Sequence, residues 1–341
     1  MPVMAPDIGI DLGTANTAVY VRGRGIVISE PTMVVVDRDN KSTVRAVGDE
    51  AAFMYGRSPE RLIAVTPIRY GQVSDFDMTE LLLKYFIRKA VGVSYLSKPR
   101  VIVSVPCGLD DINRKAMTEA VRMAGAKHVS LIEKPFASAI GTGLPVYDPI
   151  GSMVVDIGAG TTDVAVISLG GLVVSTSVQV GGSRIDEAVM EYLKKECNII
   201  IGRQTAENVK KDLATALPLE DERSILVRGI NQLNTSADTI KFTSTQAYEA
   251  VKEPCSAILK AIRWVLERTP PELSADIMMS GIHLTGSASR LFALDRYISE
   301  NLGIPVLLAR DPGDCTILGI GYLAENIQLV SPQEKKVLPT A

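Results

Sequence analysis

One short segment occurs twice in this chain. Asp11-Leu-Gly-Thr-Ala-Asn-Thr-Ala-Val-Tyr-Val21 lines up with Asp156-Ile-Gly-Ala-Gly-Thr-Thr-Asp-Val-Ala-Val166. The acid, the glycine, a threonine and a pair of valines recur in register, and Leu12 matches Ile157 in kind. Each copy follows apolar residues (Ile8 and Ile10; Met153, Val154 and Val155) and runs on into alternating or β-branched ones. That is the pattern of strand, tight polar turn, strand. A chain that repeats such a hairpin is expected to have a duplicated fold, and its 341 residues are enough for two packed lobes.

The turns carry the chemistry. A glycine-bearing turn can aim several backbone N–H groups into one concavity that binds phosphate oxygens. Gly13 and Gly158-Ala159-Gly160 permit close backbone approach, and Thr14, Asn16, Thr161 and Thr162 add side-chain donors. An acid, Asp11 or Asp156, precedes each turn. An acid beside a phosphate nest is repulsive unless a cation lies between, so the pairing points to a hydrated Mg²⁺ held through water. One such turn alone is most simply an ordinary hairpin, whereas two matched copies can clamp a polyphosphate from both sides. A third element, Ile282-His-Leu-Thr-Gly286-Ser-Ala-Ser-Arg290, reads as an apolar strand turning at a glycine into a helix. The N-terminus of such a helix can receive a phosphate or the nucleoside part of a ligand.

Between the copies, the Pro/Gly-rich stretch from Gly143 to Ser152 reads as the crossing between lobes. Periodicity predicts helices over Thr79–Val91, Asp110–Ala124, Arg184–Cys197, Thr205–Ala216 and Gln246–Glu267, and a strand over Arg100–Val105. Strands alternating with helices in both halves predict α/β lobes with mixed sheets. Composition narrows the function. Thirty-six basic against 39 acidic residues leave a net charge of -3, which offers no basic excess for nucleic acid. Cys107, Cys197, Cys255 and Cys315 form no CxxC pair, and with only two histidines no zinc framework is expected. Met1 to Pro6 has neither a basic nor an apolar signal region, and no apolar run approaches the roughly 18–20 residues that span a bilayer. The expectation is a cytoplasmic protein.

The repeated hairpins and the glycine turn, in this order, resemble the actin-like ATPases, a superfamily that includes actin, the DnaK-type chaperones and the sugar kinases. The likeness to the MreB family is denser and covers nearly the whole chain. It is carried by DIGIDLGTANTAVYVRGRGIVISEP (7–31), LLLKYFIRKA (81–90), IEKPFASAIGTGLPV (132–146) and GSMVVDIGAGTTDVAVISLGG (151–171), and extended by VGGSRIDEAV (180–189), IGRQTAENVK (201–210) and TPPELSADIM (269–278). The resemblance implies an actin-like (ribonuclease H-like) duplicated α/β fold, two lobes of two subdomains each with a nucleotide cleft between them. Lobe I would be 1–143 plus 315–341, with a smaller subdomain at about 30–75. Lobe II would be 144–314, with a smaller subdomain at about 184–245. It also implies ATP and Mg²⁺ as ligands and self-assembly into paired protofilaments beneath the cell membrane, serving cell shape or motility. Other MreB-like chains are candidate partners. By position, Asp11, Gly13, Thr14, Ala15 and Asn16 would line the first phosphate loop, and Asp156, Gly158, Ala159, Gly160, Thr161 and Thr162 the second. Glu207 and Lys210 would contact the nucleoside, or else form a solvated helical charge pair. Gly286, Ser287 and Ala288 would abut the adenosine.

The chain departs from the family pattern where hydrolysis is decided. The family reads IEEP at the start of the helix facing the γ-phosphate, and here the residues are Ile132-Glu133-Lys134-Pro135. The acid missing at 134 is the one expected to orient the attacking water. A protonated lysine accepts no proton, and losing a general base commonly costs about 10²–10⁴-fold in rate. Two readings stay open: slow hydrolysis with Lys134 drawing the γ-phosphate, or Lys134 paired with a neighbouring acid while Glu133 or Thr161 positions the water. Gly286-Ser287-Ala288-Ser289 replaces the usual GGGA, Ala159 a usual glycine and Asp163 a usual glutamate. Val93, Tyr95 and Leu96, near Lys98, fall where the family has a membrane-touching loop, although they could equally pack beneath it. The competing functional class is a non-filamentous, kinase-like turnover enzyme, which needs an acid where Lys134 stands. A chaperone would need a substrate domain for which Leu291 to Ala341 leaves no room.

Overall fold

The computed structural model describes residues 6–41, 43–56, 60–92 and 98–330. Val93, Tyr95 and Leu96, the residues expected to touch a membrane, lie outside them. The chain packs as two units. The first runs to Pro149 and adds Ile167–Leu172 and the chain from Asp314, while the second comprises Ile150–Val166 and Val173–Gly313.

The first unit opens with β1 (Ile8–Leu12), β2 (Asn16–Val21), β3 (Gly25–Pro31), β4 (Val34–Asp37), β5 (Val44–Val47), α1 (Asp49–Met54), β6 (Leu62–Val65), β7 (Ile68–Arg69) and β8 (Gln72–Val73). It continues through α2 (Phe76–Val91), β9 (Arg100–Val105), α3 (Asp111–Met123), β10 (His128–Glu133) and α4 (Lys134–Gly141). Short polar caps start α2 and α3: Asp75 accepts Met78 N–H and Asp110 accepts Asn113 N–H. Met78, Leu82, Leu83, Phe86, Ile87 and Ala90 recur at helical spacing and give α2 its buried face. That face joins Ile8, Ile10, Leu12, Val19 and Val103 in one core.

The second unit contains β11 (Ser152–Ile157), β12 (Thr162–Ser168), β13 (Gly171–Val178), α5 (Gly182–Glu196), β14 (Ile199–Ile200), α6 (Arg203–Leu213), β15 (Ser224–Asn231), β16 (Ala237–Thr243) and α7 (Ser244–Leu266). Next come α8 (Pro271–Ser280), β17 (Ile282–Thr285), α9 (Leu294–Leu302) and β18 (Val306–Leu308), before α10 (Cys315–Glu325) returns to the first unit. Every residue of β11 and β12 is buried, which is why their middles, Met153–Val155 and Val164–Ile167, read as continuous apolar stretches rather than alternating ones. Its core gathers Met153, Val155, Val164, Ile185, Phe242, Ile258 and Leu284. The helix predicted directly after Gly286 is a single 3₁₀ turn, Ser287–Arg290, and the α-helix starts only at Leu294. Ala293 at φ 61 breaks the chain between them.

The duplication is visible in the strand order. One sheet runs β3-β2-β1-β9-β10 and the other β13-β12-β11-β17-β18: three consecutive strands, then two that join beside the first. The joining strands are parallel in both, β9 on β1 and β17 on β11. Both sheets place an aspartate one residue before the end of the central strand, just ahead of the hairpin turn.

Candidate functional site

Asp11 sits near the end of β1, beside β9, and Ser104 Oγ donates to Asp11 Oδ1 at 2.6 Å. Asp156 stands opposite Thr285 in the β11/β17 register, and Thr285 Oγ1 donates to Asp156 Oδ2 at 2.9 Å. The turns close alike, with Gly13 N–H on Asn16 O at 3.0 Å and Gly158 N–H on Thr161 O at 2.9 Å. Among the described residues, no protein acceptor takes the N–H groups of Thr14 and Ala15, or those of Ala159 and Gly160. Each unit therefore presents the same device: a hydroxyl-held acid followed by a turn with N–H donors to spare.

The first turn is braced by Thr14 Oγ1, which accepts Gly71 N–H at 3.3 Å from the β7–β8 loop. Lys134, the first residue of α4, is 8% exposed and places Nζ 3.0 Å from Asp11 Oδ1. An ammonium at a helix N-terminus is opposed by the helix dipole, and the carboxylate partner offsets this. Glu133 is turned to Arg114 of α3, which donates to its carboxylate. Lys134 thus pairs with an acid, and that acid is Asp11 itself.

In the second unit, Thr161 Oγ1 donates to Asp163 Oδ2 at 2.9 Å and Thr162 Oγ1 to Val180 O at 2.7 Å. Their hydroxyl protons are committed, so any water or ligand there meets oxygen lone pairs. Gly182 N–H and Ser183 N–H bond to Gly158 O and Ala159 O, fastening the start of α5 to the second turn. A Cβ on Gly182 would come within 3.3 Å of both Lys210 Nζ and Ala288 Cβ, so the turn, α6 and the 3₁₀ segment converge here. Lys210 Nζ lies 2.8 Å from Asp186 Oδ1 and donates to Gly182 O at 3.2 Å, while Glu207 pairs with Lys211. Glu207 and Lys210 therefore have separate partners. Burial raises the Asp186 carboxyl above the usual range and Lys210 draws it back. Ser183, Asp186, Glu187, Met190 and Arg203 line a small recess. Gly286 has φ 82, and a Cβ on it would stand 2.3 Å from Ile157 O, so only glycine fits. Ser287 and Ala288 have no positive φ, and the glycines lost there leave no backbone strain.

Sequence reasoning missed Ser104, Thr285, Arg114 and Asp186. Ser104 offered a signal as the one polar residue inside the apolar run Val101–Val105, and Thr285 did so by directly preceding Gly286. The spare N–H groups fit a polyphosphate. At Asp11, Oδ1 already accepts both a hydroxyl and an ammonium, so a water-held metal would meet the carboxylate at Oδ2 and find its charge partly compensated. Among the described residues, no group of three or more His, Cys, Asp or Glu is placed to hold a metal directly, and no helix is long and apolar enough to cross a membrane.

Known proteins share this architecture. The family model described as MreB/Mbl protein matches residues 5–332. The chain is 43% identical over 325 residues to the cell shape-determining protein Mbl of Bacillus subtilis (strain 168), covering 95% of this chain and 97% of that protein. It is 44% identical over 327 residues to the cell shape-determining protein MreB of Escherichia coli (strain K12), with 95% and 94% covered. The crystal structure of MreB5 of Spiroplasma citri bound to AMPPNP matches with a TM-score of 0.90 at 31% identity, over 98% of this chain and 100% of that one. The MamK double helical filament matches at 0.77 and 22% identity, over 93% and 98%, which bears on the fold alone. With its two sheets of one strand order and its match over nearly all of its length, the chain belongs to the MreB/Mbl family of bacterial actin-like cytoskeletal proteins.

Proposed function

We propose that this chain binds ATP through both hairpin turns, assembles with itself into filaments, and hydrolyses ATP slowly. The observation that carries the reading is the repeated device at Asp11 and Asp156: the same place in the sheet, a hydroxyl from the adjacent parallel strand, and the same turn hydrogen bond. The solved relative MreB5 at 31% identity is bound to ADP in one structure and to AMPPNP in another, which supports a nucleotide as the ligand. In this reading Thr14, Ala15 and Asn16 offer donors to phosphate oxygens in the first turn, and Ala159 and Gly160 do so in the second, while Gly13, Gly158, Thr161 and Thr162 hold the turns in shape through their own hydrogen bonds. Lys210, Glu207, Gly286, Ser287 and Ala288 border the nucleoside. Mg²⁺, when bound, supplies charge neutralisation of the phosphates, and Asp11 and Asp156 are the acids that would accept from its waters.

Slow hydrolysis follows from the residues at the start of α4. Lys134 accepts no proton while charged, and Glu133 is engaged by Arg114. Lys134→Glu is expected to raise the single-turnover rate by about tenfold or more, and an unchanged rate would refute slow hydrolysis by this cause. Electron microscopy with ATP, ADP and no nucleotide tests assembly. Filaments support the cytoskeletal reading, whereas monomers under every condition would favour a kinase-like enzyme. The names of the relatives point to cell shape as the process served, and we propose that the chain serves it at the inner face of the membrane. Val93, Tyr95 and Leu96 would supply the membrane contact, and liposome co-sedimentation of Tyr95→Ser/Leu96→Ser against the unaltered chain tests it.

A further inference from the structure

We propose that Lys134 is the built-in counter-cation of the first phosphate loop, so that nucleoside triphosphate binds this chain with little dependence on Mg²⁺. The inference rests on the ATP reading above and adds how the charge of the ligand is met. Asp11 and Asp156 occupy matched places, and each takes a hydroxyl from the adjacent parallel strand. At Asp11 an ammonium is added, 3.0 Å from the oxygen that already accepts Ser104 at 2.6 Å. A carboxylate oxygen has two lone pairs in its plane, and both are taken on Oδ1, which leaves Oδ2 as the remaining acceptor and the carboxylate charge compensated by the ammonium. A hydrated Mg²⁺ reaching Asp11 needs from it a free acceptor and uncompensated negative charge. Lys134 reduces both, and its own charge repels a dication nearby.

The ammonium is not free to leave. Lys134 is 8% exposed, its stem lies inside the first unit, and withdrawing it would strand the Asp11 carboxylate. It is thus a fixed ammonium, paired with Asp11 at the start of a turn whose Thr14 and Ala15 N–H groups have no protein acceptor among the described residues. An acid-led phosphate nest ordinarily borrows that charge from a metal, and here a side chain supplies it.

The test is calorimetric titration of the full chain with AMPPNP, once in excess EDTA and once in excess Mg²⁺. The unaltered chain is expected to bind with affinities within about threefold of each other in the two conditions. Lys134→Glu is expected to lose about tenfold or more in EDTA relative to Mg²⁺. Lys134→Met, which keeps the apolar stem, makes the same test if a second acid beside Asp11 prevents folding, and Lys134→Arg should behave as the unaltered chain does. A loss of about tenfold or more on chelation in the unaltered chain overturns the inference and leaves the ATP reading standing. No binding in either condition overturns both.

Discussion

Gly13 and Gly158 hold equivalent places in the two turns, yet a methyl group would meet different surroundings. At Gly13 a Cβ would stand 2.5 Å from Asn16 O, a backbone atom fixed by the turn's own hydrogen bond. At Gly158 the nearest contact is Thr161 O at 3.5 Å, an ordinary van der Waals distance. Gly13→Ala is therefore expected to lower stability by about 1–3 kcal/mol in urea unfolding, as overpacked sites do. Gly158→Ala should stay within about 0.5 kcal/mol. A second residue ties stability to pH. Burial on β17 pushes the His283 imidazole below its ordinary value of 6.5. Below that ordinary value the unfolded chain takes up the proton more readily than the native one, so this contribution is fully present above pH 6.5 and falls away on acidification. His283→Gln should flatten the decline in stability between about pH 7 and 5, and equal slopes for the two proteins would refute the assignment. The acids and glycines of the site were legible in the sequence because the chain repeats them. Their partners were not, because Ser104, Thr285 and Arg114 reach Asp11, Asp156 and Glu133 through sheet register and helix packing, which no local pattern encodes.

Helices α4 and α10 cross within the first unit at a distance that only glycine permits. A Cβ on Gly141 would stand 1.9 Å from Cys315 O, and one on Gly319 would stand 1.8 Å from Ala137 O. The Ser138 and Thr316 hydroxyls share a hydrogen bond of 2.8 Å across the same crossing. Helix propensity alone favours Gly319→Ala by about 1 kcal/mol. The backbone contact outweighs it, since relieving such an overlap moves one helix off the other and costs about 3 kcal/mol. Gly319→Ala is therefore expected to lower the melting temperature, and a raised one would show that propensity wins. At this scale most of the fold was readable. The predicted helices lie within α2, α3, α5, α6 and α7 to within a few residues at each end, and α7 runs straight through Pro254. Caps and apolar periodicity are local, so they survive in the sequence. The segment after Gly286 was misjudged because a strand followed by glycine and small residues looks the same whether an α-helix or one 3₁₀ turn comes next. Ala293 in the left-handed region, which decides it, carries no signature of its own.

Each unit has its own buried core, so nucleotide need not act on both unless one molecule engages both turns. A ligand that binds only the native state stabilises it by RT ln(1 + [L]/Kd), about 2.7 kcal/mol at 100 times Kd. If a single ATP spans the two turns, that energy protects each unit, and damage to one turn must be felt in the other. Asn16 is exposed in the first turn, so removing its amide leaves the fold intact. Loss of a hydrogen bond to a charged phosphate costs about 1.5–3 kcal/mol, or roughly ten- to hundredfold in affinity. At the same AMPPNP concentration the linkage energy in Asn16→Ala then falls to between about 0.4 and 1.4 kcal/mol. Hydrogen exchange reads this locally. AMPPNP should slow exchange in the β1–β2 and β11–β12 hairpins alike, and Asn16→Ala should weaken the slowing in β11–β12 although the altered residue belongs to the other unit. Undiminished protection of β11–β12 in that variant would mean that the turns hold separate ligands, and the duplicated acids would then mark two sites instead of one.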